Sequence, residues 1–414
     1  MAESKTPSNS LGSDSIAKLL DVSDLTYLAD SDANVISERS QKKMYAQKQA
    51  YSQRETIVIS LNTGNDYVSM RDSSIRFKLG LLDTNSVAST QTTFGGGSCL
   101  NLFENIRIIA RSGEVLSEIS KLNLYNYFVL KLTHQYEWRA EQQGKQLLGF
   151  GTTLVSGQEF VVPLRDLCEF FRDDVLLPAN VARGLRIELT LASAQSAFQD
   201  ENATPANRVA SYNVVGAELL LDSYRLSGSA QNTLNKMAST SGLVLTYCDV
   251  NNSRTSKDSG QSTISTEVRQ SVSMANSVFA CIRPSADTED VTDDSFATRA
   301  VGATDSYQYR IGSVYLPQER ISGPVQWYSQ MSYAWGKTRH GTQLGIRASE
   351  FGTNALAVGD IDRYWTSGSG MAINNSTTLN LNATVDGATQ CDIDIFLKHT
   401  RSATAFLENV IVRD

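Results

Sequence analysis

From residue 56 onward the chain alternates apolar and polar side chains in short runs. TIVISL (56–61) and IRFKLGLL (75–82) are β-branched or period-two runs bounded by Asn, Gly and Asp, the pattern of half-buried strands. NIRIIA (105–110) and VLSEI (115–119) flank Ser112 and Gly113, which predicts a hairpin. Strands are also predicted over 159–164, 185–191 and 214–226, then over 243–250, 262–282, 307–316, 378–385, 391–398 and 406–412. Two stretches carry helical spacing. Residues 121–133 place Leu122, Tyr125, Val129 and Leu132 on one face. Residues 164–177 do the same with Leu164, Leu167, Phe171 and Val175, between Pro163 and Pro178.

Residues 1–55 differ. They are rich in Ser, Asp, Asn, Lys and Gln and show no strand alternation, although Ile16, Leu19 and Leu20 could line one helical turn. Their second half is basic, with Arg39, Lys42, Lys43, Lys48 and Arg54 against Glu38. The helix propensity of MYAQKQAYSQRE predicts an arm, partly disordered or helical, that orders on contact. The expected division is therefore an arm over 1–55, a first β-domain over 56–235 and a second over 236–414.

The two β-domains repeat one plan at an offset near two hundred residues. NIRIIA with VLSEIS matches YRIGSV with QERIS, and each is followed by an aromatic segment, LYNYFVLKL or VQWYSQMSYAW. FVVPLRDL matches LAVGDIDRY, GLRIELTLA matches TTLNLNATV, and AELLLDSYRL matches AFLENVIVRD. Matches in the same order point to two copies of one β-fold. Many short strands with Gly, Asn and Ser turns define a sandwich or barrel class; periodicity alone does not separate a jelly roll from an immunoglobulin-like sandwich.

Bulk properties narrow the function. At 414 residues two domains are the default. A net charge of −7 disfavours a chain that coats nucleic acid with its whole surface. The polar start MAESKTPSNSLGSDS predicts no secretory signal, and no run reaches the ~18 apolar residues of a membrane span. Five scattered cysteines, at 99, 168, 248, 281 and 391, read as reduced, buried thiols. His134, His340 and His399 are isolated, with no HExxH or Cys/His cluster, and no GxSxG elbow occurs. Phe94-Gly95-Gly96-Gly97-Ser98 lacks the GK[ST] of a phosphate loop. Asp173 and Asp174 are adjacent, so they do not face one cleft as glycosidase carboxylates must. Trp327, Trp335 and Trp365 read as core or interface aromatics. No catalytic residue, metal or cofactor is expected. Segments 83–98, 193–211 and 284–305 are longer than ordinary turns, and the acidic run in the last, with Asp287, Glu289, Asp290, Asp293 and Asp294, reads as a solvated loop.

Three stretches resemble a known family. They are YVSMRDSSIRFKLGLL followed by a Gly-rich gap and SCLNLFENIRIIARSGEVL (67–116), EFVVPLRDLCEFFRDDVLLPANVARGLRIELTLA (159–192), and YQYRIGSVYLPQERISGPVQWYSQMSYAWG (307–336). In their order they resemble the double jelly-roll major capsid proteins of the tectivirus, adenovirus and polinton-like virus lineage. GDIDRYWTSGSGM (359–371) departs from the pattern, being shorter and more polar than its counterpart helix. The resemblance implies an all-β chain of two tandem eight-stranded jelly rolls with a few short inserted helices. It implies a non-enzymatic capsid subunit that forms homotrimers of pseudo-hexagonal outline and tiles an icosahedral DNA-virus shell, in the virion, after assembly inside the host cell. Its partners would be itself, neighbouring capsomers, and penton and minor capsid proteins, with no sequence-specific nucleic-acid binding. The long segments would then be tower loops. Arg39, Lys42, Lys43, Lys48 and Arg54 would face inward to an internal membrane, a minor protein or the genome, since anionic surfaces attract such residues at ~1 kcal/mol each. On that reading, deleting residues 1–55 leaves trimers intact and impairs shell assembly. The competing reading is a β-sandwich viral attachment or carbohydrate-binding protein that stacks sugars on Tyr and Trp; a glycan-processing jelly-roll enzyme is a third.

Overall fold

A computed structural model describes residues 36–83, 92–134, 147–172, 176–268, 270–288, 290–336, 346, 349–361, 370–374, 377–407 and 409–413. The paired Asp173 and Asp174, together with Glu289, His340, Trp365 and most of the departing segment 359–371, lie outside them.

The first half forms two facing antiparallel sheets from eight principal strands: β1 (Ile36–Tyr45), β2 (Thr56–Ser60), β3 (Tyr67–Asp83), β4 (Phe103–Ile109), β5 (Val115–Ile119), β6 (Gln158–Pro163), β7 (Arg186–Leu191) and β8 (Val209–Leu226). One sheet runs β1-β8-β3-β6 and the other β2-β7-β4-β5. The second half supplies β9 (Leu243–Lys257), β10 (Thr263–Val268), β11 (Val272–Pro284), β12 (Ser306–Ile311), β13 (Val314–Ser322), β14 (Leu356–Asp360), β15 (Leu379–Thr384) and β16 (Cys391–Ala405). Its sheets run β9-β16-β11-β14 and β10-β15-β12-β13. Adding eight to every strand number of the first pair of sheets gives the second. Each half is thus an eight-stranded jelly roll, and the chain is a tandem of two.

Alternation builds each core. In β7 the odd residues Ile187, Leu189 and Leu191 turn inward and are buried, while Arg186 is exposed. Full burial of each such side chain contributes ~1.5–3 kcal/mol. Phe77 and Phe160 lie directly opposite on β3 and β6, and Phe77 meets Phe103 of the facing sheet edge-on at 5.8 Å. In the second roll β15 buries Leu379, Leu381 and Ala383 in the same way.

Among the described residues, three helices of more than two turns join these strands: α1 (Leu122–Thr133), α2 (Gly228–Thr240) and α3 (Gly323–Gly336). α1 follows β5 and α3 follows β13, so they too are counterparts. α2 connects the rolls, and the expected boundary at 235/236 falls inside it.

Several expectations are corrected. The segment 36–55 is not a helical arm: β1 pairs with β8 over its whole length, and Ala50–Ser52 pairs with the same strand. The segment 164–177 is not one helix. A turn over Leu164–Leu167 ends where Cys168 takes an extended conformation, a 3-10 turn follows over Glu169–Phe171, and Leu176–Leu177 pairs with β3. Residues 262–282 form two strands in different sheets, β10 and β11. The counterpart of β8 is β16, not the last residues; Val410–Arg413 only turns back along the end of β16.

Candidate functional site: the seam between the rolls

The most chemically elaborate region joins the two rolls, and α1 lies at its centre. Tyr125 stacks on Phe279 of β11 at 5.8 Å and meets Phe396 of β16 at 5.6 Å. Its hydroxyl donates to Oε1 of Glu169 at 2.5 Å, and Lys398 of β16 reaches Oε2 of Glu169 at 3.3 Å. Arg172 closes the cluster by pairing with the same carboxylate. Burial alone would raise the pKa of Glu169, but Arg172, Lys398 and the Tyr125 hydroxyl together hold it down to about 2.

A second cluster joins the edge strands β5 and β9. Ser117 donates its hydroxyl to Oδ1 of Asp249 at 2.7 Å. Arg401 donates to Oδ2 of Asp249 and to the Leu116 carbonyl, each at 3.0 Å. The Tyr247 hydroxyl donates to the same carbonyl at 2.6 Å. Burial pushes the Asp249 carboxyl up, against the pull of Ser117 and Arg401. Elsewhere along the seam Asn180 donates to the Phe406 carbonyl at 2.6 Å, the Gly96 amide donates to Asp294 at 3.1 Å, and Lys131 donates to Asn354 at 3.1 Å. Buried aromatic contact plus paired charges is the composition of a permanent interface, in which the rolls are held as one unit.

Beside the second cluster lies an open polar cleft of about 370 Å³, lined by Val115, Glu118, Asn251, Asn252, Gln270 and Arg401 among others. Its carboxylates are already engaged, with Asp249 bound to Ser117 and Arg401 and Glu118 paired with Arg107 at 3.6 Å. Among the described residues no group of three or more His, Cys, Asp and Glu side chains could hold a metal ion, and no helix is long and apolar enough to cross a membrane. Cys99, Cys168, Cys281 and Cys391 are buried thiols and Cys248 is half-buried. Trp327 is buried against Tyr307 at 4.6 Å, so it offers no stacking platform for a sugar.

The basic residues singled out in the sequence lie on β1 and the segment that follows it, and four of them face acids of the same roll. Arg39 chelates Asp222 and sits 5.2 Å over the Tyr224 ring. Lys42 binds Asp66 at 2.5 Å and the Thr63 carbonyl at 3.1 Å. Lys43 lies 3.7 Å from Glu218, and Lys48 lies 3.2 Å from Glu55. Arg54 occupies a turn position with φ of 65°. The seam residues Glu169, Asp249, Lys398 and Arg401 were not singled out by sequence reasoning. Their one signal is an acid set inside an apolar run, as in LTYCDV and LCEFF.

No protein-family model matches the chain, and no curated protein matches it by sequence. Solved structures match over nearly its whole length. A quasi-atomic model of the PBCV-1 virus capsid aligns at a TM-score of 0.64 with 10% identity, covering 94% of this chain and 99% of the other. PBCV-1 VP54, fitted into a reconstruction of the virophage Sputnik, aligns at 0.63 with 11% identity and the same coverage. The Faustovirus major capsid protein aligns at 0.60 with 9% identity, covering 93% of this chain and 94% of that one. The chain has the double jelly-roll fold of these viral major capsid proteins.

Proposed function

We propose that this chain is the major capsid protein of an icosahedral DNA virus, a structural, non-enzymatic subunit that assembles as a homotrimer. One observation carries the reading: the strand order of the first roll recurs in the second, and a buried seam fixes the two rolls side by side. Such a chain presents two similar edges at a set angle, so a closed ring of three copies places six similar rolls around one axis. A shell subunit needs rigid walls and extensive lateral surface, not a cleft with free acids and bases. The similar folds of the PBCV-1, Faustovirus and Sputnik-fitted proteins support the same reading.

The inward contact of Arg39, Lys42, Lys43, Lys48 and Arg54 with a membrane or genome is not part of this proposal. Four of these cations already neutralise acids of their own roll, and a paired cation gains little from a second anion. Electron microscopy of the purified full chain tests the function. Three-fold particles of hexagonal outline that pack into arrays or shells are expected. Isolated two-lobed particles at high protein concentration would overturn it.

A further inference from the structure

We propose that the apolar, acidic run over residues 14–30 docks on its own chain, at the uncovered end of the second roll's seam face. There Val244, Leu407 and Ile411 stand beside Arg111, Arg183 and Arg413.

The patch continues an interface already formed. Alternate residues of a strand share a face. Phe396 and Lys398 of β16 carry one face into the internal seam, against Tyr125 and Glu169. Thr400, Ser402 and Thr404 prolong that face, because β16 keeps an unbroken register with β9 from Cys391 to Ala405. Thr404 lies between Val244 of β9 and Ile411 of the returning strand Val410–Arg413. Here the first roll no longer covers the face. Val244 is 54% exposed, Ile411 45%, and Leu407 in the turn before the returning strand 47%. The opposite face of the same strands is packed, with Leu243, Leu245, Ala403 and Val410 buried. Apolar side chains exposed together in this way mark an interaction surface.

The rim of the patch is cationic. Asn180 ties it to the first roll by donating to the Phe406 carbonyl at 2.6 Å. Arg183 comes one helical turn after Asn180. The Arg111 side chain lies against Gly184, where an added Cβ would come within 3.0 Å of its Cγ. Arg413 shares a face with Ile411, two residues along the strand. All three arginines are exposed, and none has an ion-pair partner among the described residues.

Such a surface fits an apolar, acidic occupant, and the chain supplies one. Residues 1–35, outside the described residues, carry two lysines against six acids. Their apolar side chains concentrate in DSIAKLLDVSDLTYLAD (14–30), where Ile16, Leu19, Leu20, Leu25 and Leu28 alternate with Asp14, Asp21, Asp24 and Asp30. The chain resumes at the same end of the molecule. Ile36 is opposite Leu226, Tyr224 is opposite Tyr67, and Val68 is opposite Leu177. Three strand steps of ~4.8 Å place Ile36 within ~15 Å of Leu177, just before Asn180. The residues from Leu28 to Ile36 span up to ~26 Å when extended, so the run reaches the patch of its own chain. An anionic lipid surface offers similar chemistry, but a segment tethered this closely competes at an effective concentration on the order of millimolar.

Photocrosslinking in the full-length chain tests the docking. With benzoylphenylalanine in place of Ile411, irradiation should join position 411 to a peptide within residues 14–30. The adduct should keep the mass of one chain, 45.3 kDa, on a denaturing gel. If the probe at 411 lowers the melting temperature, position 244 takes its place. Leu19→Asp combined with Leu20→Asp should lower the crosslink yield by about tenfold or more, because two apolar side chains are lost from the contact. Arg183→Glu should lower it by roughly threefold, as an exposed ion pair does. The same probe at Val325, which is exposed on α3, should give no such adduct. A crosslink to another segment, an adduct of two chains, or no adduct from either position overturns the proposal. So does a yield that the Leu19 and Leu20 substitutions leave unchanged, or a crosslink to lipid in place of the segment when phosphatidylserine vesicles are present. Every one of these results leaves the capsid reading to be decided by the trimer.

Discussion

The hydroxyl of Ser117, on the edge strand β5 of the first roll, donates to the buried carboxylate of Asp249, on the first strand of the second, at 2.7 Å. Arg401 holds the other oxygen of that carboxylate at 3.0 Å and is itself largely buried. Replacing Asp249 with Ala leaves the largely buried Arg401 without its counter-charge, which costs up to ~3–5 kcal/mol. For rolls of this size the melting temperature should fall by roughly 6–20 °C. Calorimetry reads the shift, and a loss of less than about 1 kcal/mol would mean that the pair is solvated.

Tyr125 separates packing from polarity at the same seam. Tyr125→Phe keeps the ring between Phe279 and Phe396 and removes only the donor to Glu169, a loss of ~1.5–3 kcal/mol for a bond to a charged group. Tyr125→Ala removes the ring as well and should cost ~3–5 kcal/mol, as large-to-small core substitutions do. Because the ring joins the rolls, the Ala variant should also split one calorimetric transition into two.

Glu169 gives the seam an acid limit. Its carboxyl is held near a pKa of about 2, against an ordinary 4.5. Between these values the unfolded chain binds a proton that the folded chain does not, so stability falls as pH drops through that window. The contribution is complete above the unfolded value and is on the order of 3 kcal/mol. Glu169→Gln should be less stable than wild type at neutral pH, and its stability should change less between pH 4.5 and pH 2. Denaturant unfolding at a series of pH values checks the slope; equal slopes for the two proteins would remove Glu169 from this role.

Deleting residues 1–55 should destroy the first roll instead of yielding intact trimers. The deletion removes β1, which pairs with β8 from Ile36 to Tyr45. It strips Asp222 and Asp66 of their Arg39 and Lys42 partners. It also leaves the β8 backbone as an open edge, a template for aggregation. Insoluble or molten product is expected on expression. A soluble, cooperatively melting fragment would show that β1 is dispensable.

The fold was legible wherever a strand buries one face. The hairpin of β4 and β5 announced itself through alternation and the Ser112-Gly113 turn, and the matches of β7 with β15 and β6 with β14 fall on true counterparts. β1 was not legible. ISERSQKKMY buries no residue fully, with only Ile36 and Met44 resting against the core, and its face is stabilised by Asp222, Glu218 and Asp66, which are distant in sequence. Local propensity therefore read as a solvated helix. The segment after Leu164 failed for a similar reason: helical spacing is present, but the pull of Tyr125 and Lys398 on Glu169 sets the backbone there. The last strand of the second roll was expected over 391–398, but the repeat match of β8 fell on AFLENVIVRD instead, because CDIDIFLKHTRSATA carries charges that are satisfied only across the sheet, as Asp394 is by Arg283 at 2.8 Å. The seam itself was invisible, since each half of it reads as ordinary core or surface until the two rolls are brought together.

The solution mass of the purified full-length chain is the most direct measurement. A capsid subunit with two similar edges should scatter light as a stable trimer of about 136 kDa, three times the chain mass of 45.3 kDa. A well-folded 45.3 kDa monomer at every salt concentration would contradict the assembly that this fold is proposed to serve.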